Sequence, residues 1–353
     1  MGEEKKVWLV RAGRRGEDEE ADLTEGRAMI GFRDANNLAS YPDVAAVARA
    51  LLKADKEPNE NRAANRARQA WAFSRTAQVG DSVVLPLKTR PGQIALGRIV
   101  GPYEYTKIGG EKRHTLKVKW LKPDVPRSAF KQDLLYSFGA FMTVCRIQRN
   151  DAEHRVAEVL AGKPDPGFTD QEDAAGAKVK VKIATDKDAT IDLAQAAQDE
   201  LVAHVRKQFQ THDLARLVGA VLEAEGYVAH VSPPGPDGGA DILAGRGPLG
   251  LDSPTLCVQV KATDAAADVK IFRELVGTMD HFKADQGLLV CWGGFTQPLK
   301  KEAQQKAFKV KMWDQTDLVN AVYRAYDKLS PEIQAELPLK RVWMLVREDI
   351  EEG

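Results

Sequence analysis

The chain has 353 residues, with 51 Lys and Arg balancing 51 Asp and Glu, so the formal net charge is zero and no overall basic excess points to a polyanionic partner. That length exceeds one ordinary domain and predicts two. Three widely spaced cysteines, Cys145, Cys257 and Cys291, exclude a disulfide framework and a zinc motif, while the lack of any long apolar run or signal-peptide pattern sets the expected location in the cytoplasm with no membrane partner.

Residues 5–147 read as short strands and turns interrupted by two helical insertions, at 43–53 and 61–77. VWLVRAG opens the series. The turn Val79-Gly80-Asp81 leads into SVVLPL, Gly97–Gly101 forms a further strand bounded by glycines, and YSFGAFMTVCRI closes the segment. This pattern predicts a mixed, barrel-like domain over 1–150. Two basic clusters, Arg62, Arg66, Arg68 and Arg75, then Lys117, Lys119, Lys122 and Arg127, either contact phosphate or form a solvated face. Between 163 and 189 the chain turns to Pro, Gly, Asp, Lys and Ala without an apolar period. The linker is therefore set at 151–190.

In IDLAQAAQDELVAHVRKQF the apolar residues recur at helical spacing, and a second helix runs over 213–225 to its stop at Gly226. The period then changes. YVAHVS, ADILAG, LCVQVK, GLLVCW and KVKMWD are strand-like and alternate with helical stretches at 267–284 and 296–308, an α/β order for a domain over 191–330. The tail, 331–353, starts a short helix with Ser330 as N-cap and Pro331 at the first position, and continues as a strand or extended arm.

Alternate strand residues share a face, so two adjacent strands can set an acid beside a polar residue and a lysine two positions apart. Asp241, Gln259 and Lys261 have this arrangement, with Gly238-Gly239 allowing a close backbone approach ahead of Asp241. A carboxylate and an amide oxygen are ligands for magnesium, and a lysine can hold an attacking water or stabilise charge on a phosphoryl group. Phosphodiester hydrolysis needs those parts. By itself the D…QxK pattern is more often a turn cap and the solvent face of an ordinary strand.

The stretch from Leu214 to Gly226, SPPGPDGGADILAG, LCVQVK and GLLVCWGGF together resemble the catalytic domain of Mrr-like restriction endonucleases, within the PD-(D/E)xK nuclease superfamily. The resemblance implies a restriction-endonuclease-like α/β sheet fold, Asp241 as metal ligand, Gln259 in a position usually held by Glu or Gln, and Lys261 as catalytic lysine. It also implies a site role for Asp237 in PDGGAD. One departure stands out. Where many relatives carry a glutamate on the first helix, HDLARLV has Ala215, so either Asp213 reaches the metal, or Glu223 does, or the metal is held weakly; Asp213 is favoured. His212 and His281 stand at unrelated spacing and are assigned no catalytic role.

In the N-terminal half, ENRAANRARQAWAFSRTAQVGDSVVLPLK resembles EVE domains and LKVKWLKPDVPRSAF resembles the late strand and loop of YTH domains, both built on a PUA-like barrel. That resemblance implies a reader of modified bases, with Phe32, Trp71, Tyr103 and Tyr105 as candidate cage aromatics and Arg62, Arg66 and Arg68 on the DNA backbone. Small-barrel aromatics are also core residues, as expected for Trp8 and Trp120. The combined expectation is an α/β two-domain chain, a type IV-like, modification-dependent DNA endonuclease of phage defence using magnesium, or manganese in its place. A double-strand break from one site per chain implies a homodimer on modified double-stranded DNA. Two alternatives stand beside it: a defence nuclease whose barrel senses a nucleotide or RNA, and a catalytically inactive DNA-binding protein.

Overall fold

All four side chains of the first apolar run, VWLV, are buried in strand β1 (Val7–Val10), which requires cover on both faces of its sheet. In the computed structural model, which describes residues 5–13, 15–55, 58–140, 142–167, 192–233 and 239–343, that cover is helical. The chain forms two compact units, one running to Asp199 and the other spanning Glu200–Trp343.

In the first unit β1 is followed by α1 (Glu19–Glu25), β2 (Arg27–Ile30), α2 (Val44–Ala54), α3 (Glu60–Trp71), β3 (Ser82–Leu87), β4 (Gln93–Ile108), β5 (Glu111–Pro126), α4 (Gln132–Phe138), β6 (Val144–Ile147) and α5 (Ala152–Leu160). Capping explains where the two insertion helices start. Asp43 accepts the N–H of Ala46 and Asn59 that of Arg62, each satisfying a donor in a first helical turn. The strands pair in the order β2-β5-β4-β3-β1-β6, with β1 and β3 parallel and the other pairs antiparallel.

The sheet is mixed, as expected, but it is open. Its ends, β2 and β6, do not pair with each other, so no barrel is closed among the described residues. The physical reason lies in the packing. Trp8, Val10, Val83, Ile99, Leu116 and Val118 bury against Val47, Leu51, Ala63, Ala67 and Ala70 of α2 and α3. On the opposite face, Val7, Leu9, Val84, Ile94 and Leu96 bury against Leu134, Leu135, Phe138, Val156 and Val159 of α4 and α5. Each full burial of such a side chain stabilises by about 1.5–3 kcal/mol. Helices thus do what curling the sheet would otherwise do. Within 151–167, the first part of the expected linker, α5 buries Arg155, which donates to Asp165 at 2.7 Å and to Asp133 at 2.6 Å.

The second unit contains α6 (Leu193–Gln208) from Glu200 onward, then α7 (His212–Ala224), β7 (Val228–Val231), β8 (Ile242–Arg246), β9 (Asp252–Lys261), α8 (Val269–Phe282), β10 (Gln286–Cys291), α9 (Gln297–Gln304), β11 (Val310–Trp313), α10 (Gln315–Ala325) and α11 (Pro331–Glu336). Its sheet order is β11-β10-β9-β8-β7, parallel across β9, β10 and β11 and antiparallel across β7, β8 and β9. In α7, Leu214, Leu217, Val218, Val221 and Leu222 fall on one face and bury with α10 against one side of the sheet. Phe272, Leu275, Met279, Leu299 and Ala303 of α8 and α9 cover the other side. Ser330 caps α11 by accepting the N–H of Ile333, with Pro331 at its first position. No strand follows it in the described residues.

Candidate active site

Strand alternation decides which β9 side chains face which layer. Leu256, Val258 and Val260 bury on the α7 side, and Cys257 buries on the α8 side. Gln259 and Lys261 share the face of Cys257, because side chains two apart in a strand point the same way. On β8, Ile242 and Ala244 face α7 and Leu243 faces α8, so Asp241, two positions ahead of Leu243, falls on the face of Gln259 and Lys261.

Asp241 is held on both sides of Gln259. Its N–H donates to the Val258 carbonyl at 2.9 Å, and its Oδ2 accepts the N–H of Val260 at 2.7 Å. From the neighbouring turn, Ser232 donates its N–H to the Asp241 carbonyl and its Oγ–H to the Ala240 carbonyl. Gly239, at φ +93°, adopts a conformation open to glycine, and a Cβ there would lie 3.0 Å from Thr278 Oγ1 on α8. The carboxylate is therefore fixed by backbone geometry. Burial pushes the Cys257 thiol up to about 11, and the charge of Asp241 adds to the rise. Burial also raises the Cys291 thiol, opposed by the backbone at Ala267, Gly293 and Gly294 and, least, by Lys261, which is paired in register with Cys291.

Gln259 is 6% exposed, and its Oε1 is buried without a hydrogen-bond partner. An orphaned buried acceptor costs about 1–3 kcal/mol unless something else satisfies it. An amide oxygen on the same face as a fixed carboxylate suits a hard divalent cation. Among the described residues no group of three His, Cys, Asp or Glu could hold a metal ion; the oxygen donors that strand alternation sets on this face are Asp241 and Gln259. Asp237 lies outside the described residues.

Asp213 occupies the first turn of α7, where its carboxylate lies 3.4 Å from Arg216; the same arginine pairs with Glu336 at 2.6 Å. The structure therefore groups Asp213 with Arg216 and Glu336, and Asp241 with β9.

Residues 206–322 match the restriction endonuclease family Mrr_cat, an interval containing Asp241, Gln259, Lys261 and the whole five-stranded sheet. The chain carries a restriction endonuclease domain. Residues 8–144 of this endonuclease-bearing chain match a family described only as a domain of unknown function, DUF8426. No curated protein matches the chain. Two similar solved structures are the DNA modification-dependent restriction endonuclease AspBHI, at 15% identity and TM-score 0.32 over 94% of this chain and 84% of that one, and the MspJI restriction endonuclease in complex with a 27-mer oligonucleotide, at 12% identity and TM-score 0.31 over 90% and 75%.

The candidate base-binding residues fall into different environments within the first unit. Phe32 is 1% exposed, so its ring is enclosed in the core and offers no face to a base; the Arg66 guanidinium lies 5.5 Å from its centre. Trp71 is half-buried under Arg75. The Tyr103 hydroxyl accepts the N–H of Leu38 and bonds His114 Nδ1 at 2.7 Å, while His114 Nε2 lies 3.0 Å from the Phe32 carbonyl. These partners assign the histidine proton to Nε2 and use both functions of the hydroxyl. Burial lifts the Tyr103 phenol to about 12 and lowers His114. Tyr105 stacks on His114 with ring centres 4.8 Å apart.

Of the candidate backbone arginines, Arg62 pairs with Asp55 at 2.6 Å and Arg66 with Asp34 at 3.5 Å, while Arg68 is exposed. In the second basic cluster, Lys117 pairs with Glu104, Lys122 donates to the Val159 carbonyl and Arg127 forms a buried pair with Asp199. Sequence reading missed the Val260 N–H and the Ser232 brace, since backbone donors leave no residue-type signal. It also missed His114, for which no motif was available.

Proposed function

We propose that this chain is a modification-dependent DNA endonuclease, in which the second unit hydrolyses phosphodiester bonds with a divalent metal and the first reads an altered base. The clamp of Asp241 onto β9 around Gln259, whose amide oxygen is buried and unsatisfied, carries this reading. Asp241 and Gln259 would hold magnesium or manganese, with Asp237 and Asp213 as the remaining acidic candidates. Bound there, the metal would supply a Lewis acid for the scissile phosphate and lower the pKa of a water.

The chain's own groups divide the remaining work. The Val260 N–H fixes the carboxylate of Asp241 before substrate arrives, so little reorganisation is needed at the moment of reaction. On the same face Lys261 supplies positive charge for the developing phosphoryl oxyanion or holds the attacking water. In the first unit, Tyr105 is the candidate for base stacking, because its ring rests on His114 and its hydroxyl is not committed as that of Tyr103 is. A pair of chains would supply the two sites that a double-strand break requires.

The test is cleavage of plasmid from modifying and non-modifying hosts, with Mg²⁺ or EDTA, by wild type, Asp241→Ala and Lys261→Ala. Cutting is expected only for wild type, with metal, on modified plasmid. Equal cutting of both plasmids would remove the reader and leave the nuclease.

A further inference from the structure

The strands β4 and β5 extend beyond the rest of their sheet. β3 pairs with β4 only as far as Arg98, and β2 pairs with β5 from Lys117 to His114, so past those points two strands continue alone to the turn. That turn is Gly109-Gly110, with φ of +56° and +86°, and no atom lies within 4 Å of a Cβ built on either. Positive φ at both positions gives the tight hairpin whose twist matches the flanking strands.

The two faces of this ribbon differ in charge. On one, Glu104, Glu111, Arg113 and Arg27 are neutralised: Arg27 pairs with Glu104, and Arg113 with Glu111 and Asp18. On the other, the cross-strand pairs from base to tip are Tyr103 with Leu116, Tyr105 with His114, and Lys107 with Lys112. Like charges directly opposite each other destabilise a ribbon. Both lysines are exposed, and neither has an acidic partner among the described residues; Lys112 Nζ lies 5.3 Å from the Tyr105 ring centre. In a chain of zero net charge, the sequence KIGGEK thus sets two unneutralised cations side by side at a projecting tip.

We infer that the Lys107–Lys112 face of the β4–β5 tip contacts the phosphodiester backbone of duplex DNA. A two-stranded ribbon fits the major groove, and a polyanion relieves the repulsion between the lysines. The inference rests on the reading of the chain as a DNA endonuclease, and adds where the first unit grips the duplex. It separates backbone contact, by the lysines, from base contact.

Fluorescence anisotropy of labelled duplexes, modified and unmodified, measures the affinity of the full chain in EDTA across a salt series. The variant is the double Lys107→Gln, Lys112→Gln, whose melting checks that the sheet is intact. The expected result is a loss of about tenfold on both duplexes, with the slope of log affinity against log salt shallower by about two. An unchanged affinity and slope, where wild type binds, would overturn the ribbon contact alone. A loss confined to modified duplex would also overturn it, since that is the signature of a base reader. A wild type without duplex affinity would overturn the endonuclease reading and this inference together.

Discussion

The carboxylate of Asp241 accepts the backbone N–H of Val260 at 2.7 Å, which ties the start of β8 to the end of β9 beside Gln259 and Lys261. One oxygen of the side chain therefore has a structural duty as well as a proposed metal-binding one. Substitutions can separate them. Asp241→Asn keeps an amide oxygen for Val260 and should melt close to wild type, while cleavage falls by about 100-fold or more because the ligand charge is gone. Asp241→Ala leaves the N–H without its acceptor and should lose about 1–3 kcal/mol of stability as well. Equal melting of Ala and Asn variants in a thermal scan would deny the clamp any structural weight.

Gln259 gives the opposite trade. Its buried, unpartnered Oε1 is expected to cost stability in the metal-free protein. Gln259→Leu should therefore melt higher, by about 2–4 °C for each kcal/mol recovered, and cut no DNA. Gln259→Glu should retain cleavage and reach half-maximal rate at lower Mg²⁺, since a second carboxylate joins Asp241. A leucine variant that still cleaves would remove Gln259 from the site.

In the first unit, Tyr103 and Tyr105 bracket His114 but have different partners. Tyr103→Phe deletes the acceptor of the Leu38 N–H and the partner of His114 Nδ1, and should destabilise by about 1–3 kcal/mol with no change in base preference. Tyr105→Ala should keep the fold and lower the preference for modified over unmodified duplex by about 1–3 kcal/mol, the worth of one stacked base. Competition binding with both duplexes checks the pair of outcomes.

Asp22 gives a pH dependence that can be measured without substrate. Burial lifts its carboxyl well above the usual value, Asp18 and Glu19 add to the rise, and the Met29 backbone and Arg113 oppose it. With the folded value above the unfolded one, the native state binds more protons between them, so stability falls as pH rises from about 4 through the folded value. Asp22→Asn should melt higher than wild type at pH 7, and the gap should shrink toward zero below about pH 4. A gap that stays constant from pH 3 to 7 would show that charge is not the cause.

Much of the second unit was legible because its strands are short apolar runs between clear breakers. Strand alternation alone puts Gln259 and Lys261 on one face, and helical spacing alone selects the buried side of α7. The missed elements include β2 and α1, where four- and seven-residue segments offer too little periodicity to stand out against their surroundings. In the first unit, local pattern predicted a mixed sheet and both insertion helices. It could not decide between closing the sheet and covering it, because the same alternating apolar residues satisfy either arrangement.

The sequence by itself determined the two-part organisation, the strand and helix order of the endonuclease domain, and the residue types able to serve hydrolysis, since periodicity and side-chain chemistry are local properties. Tertiary structure alone decided that the six-stranded sheet stays open under helices, that Asp241 is locked to the Val260 N–H, that Phe32 is core, and that Lys107 opposes Lys112 at a free tip. Each of these depends on which distant backbone or packing partner a residue meets, and that is set by how the whole chain buries its apolar surface.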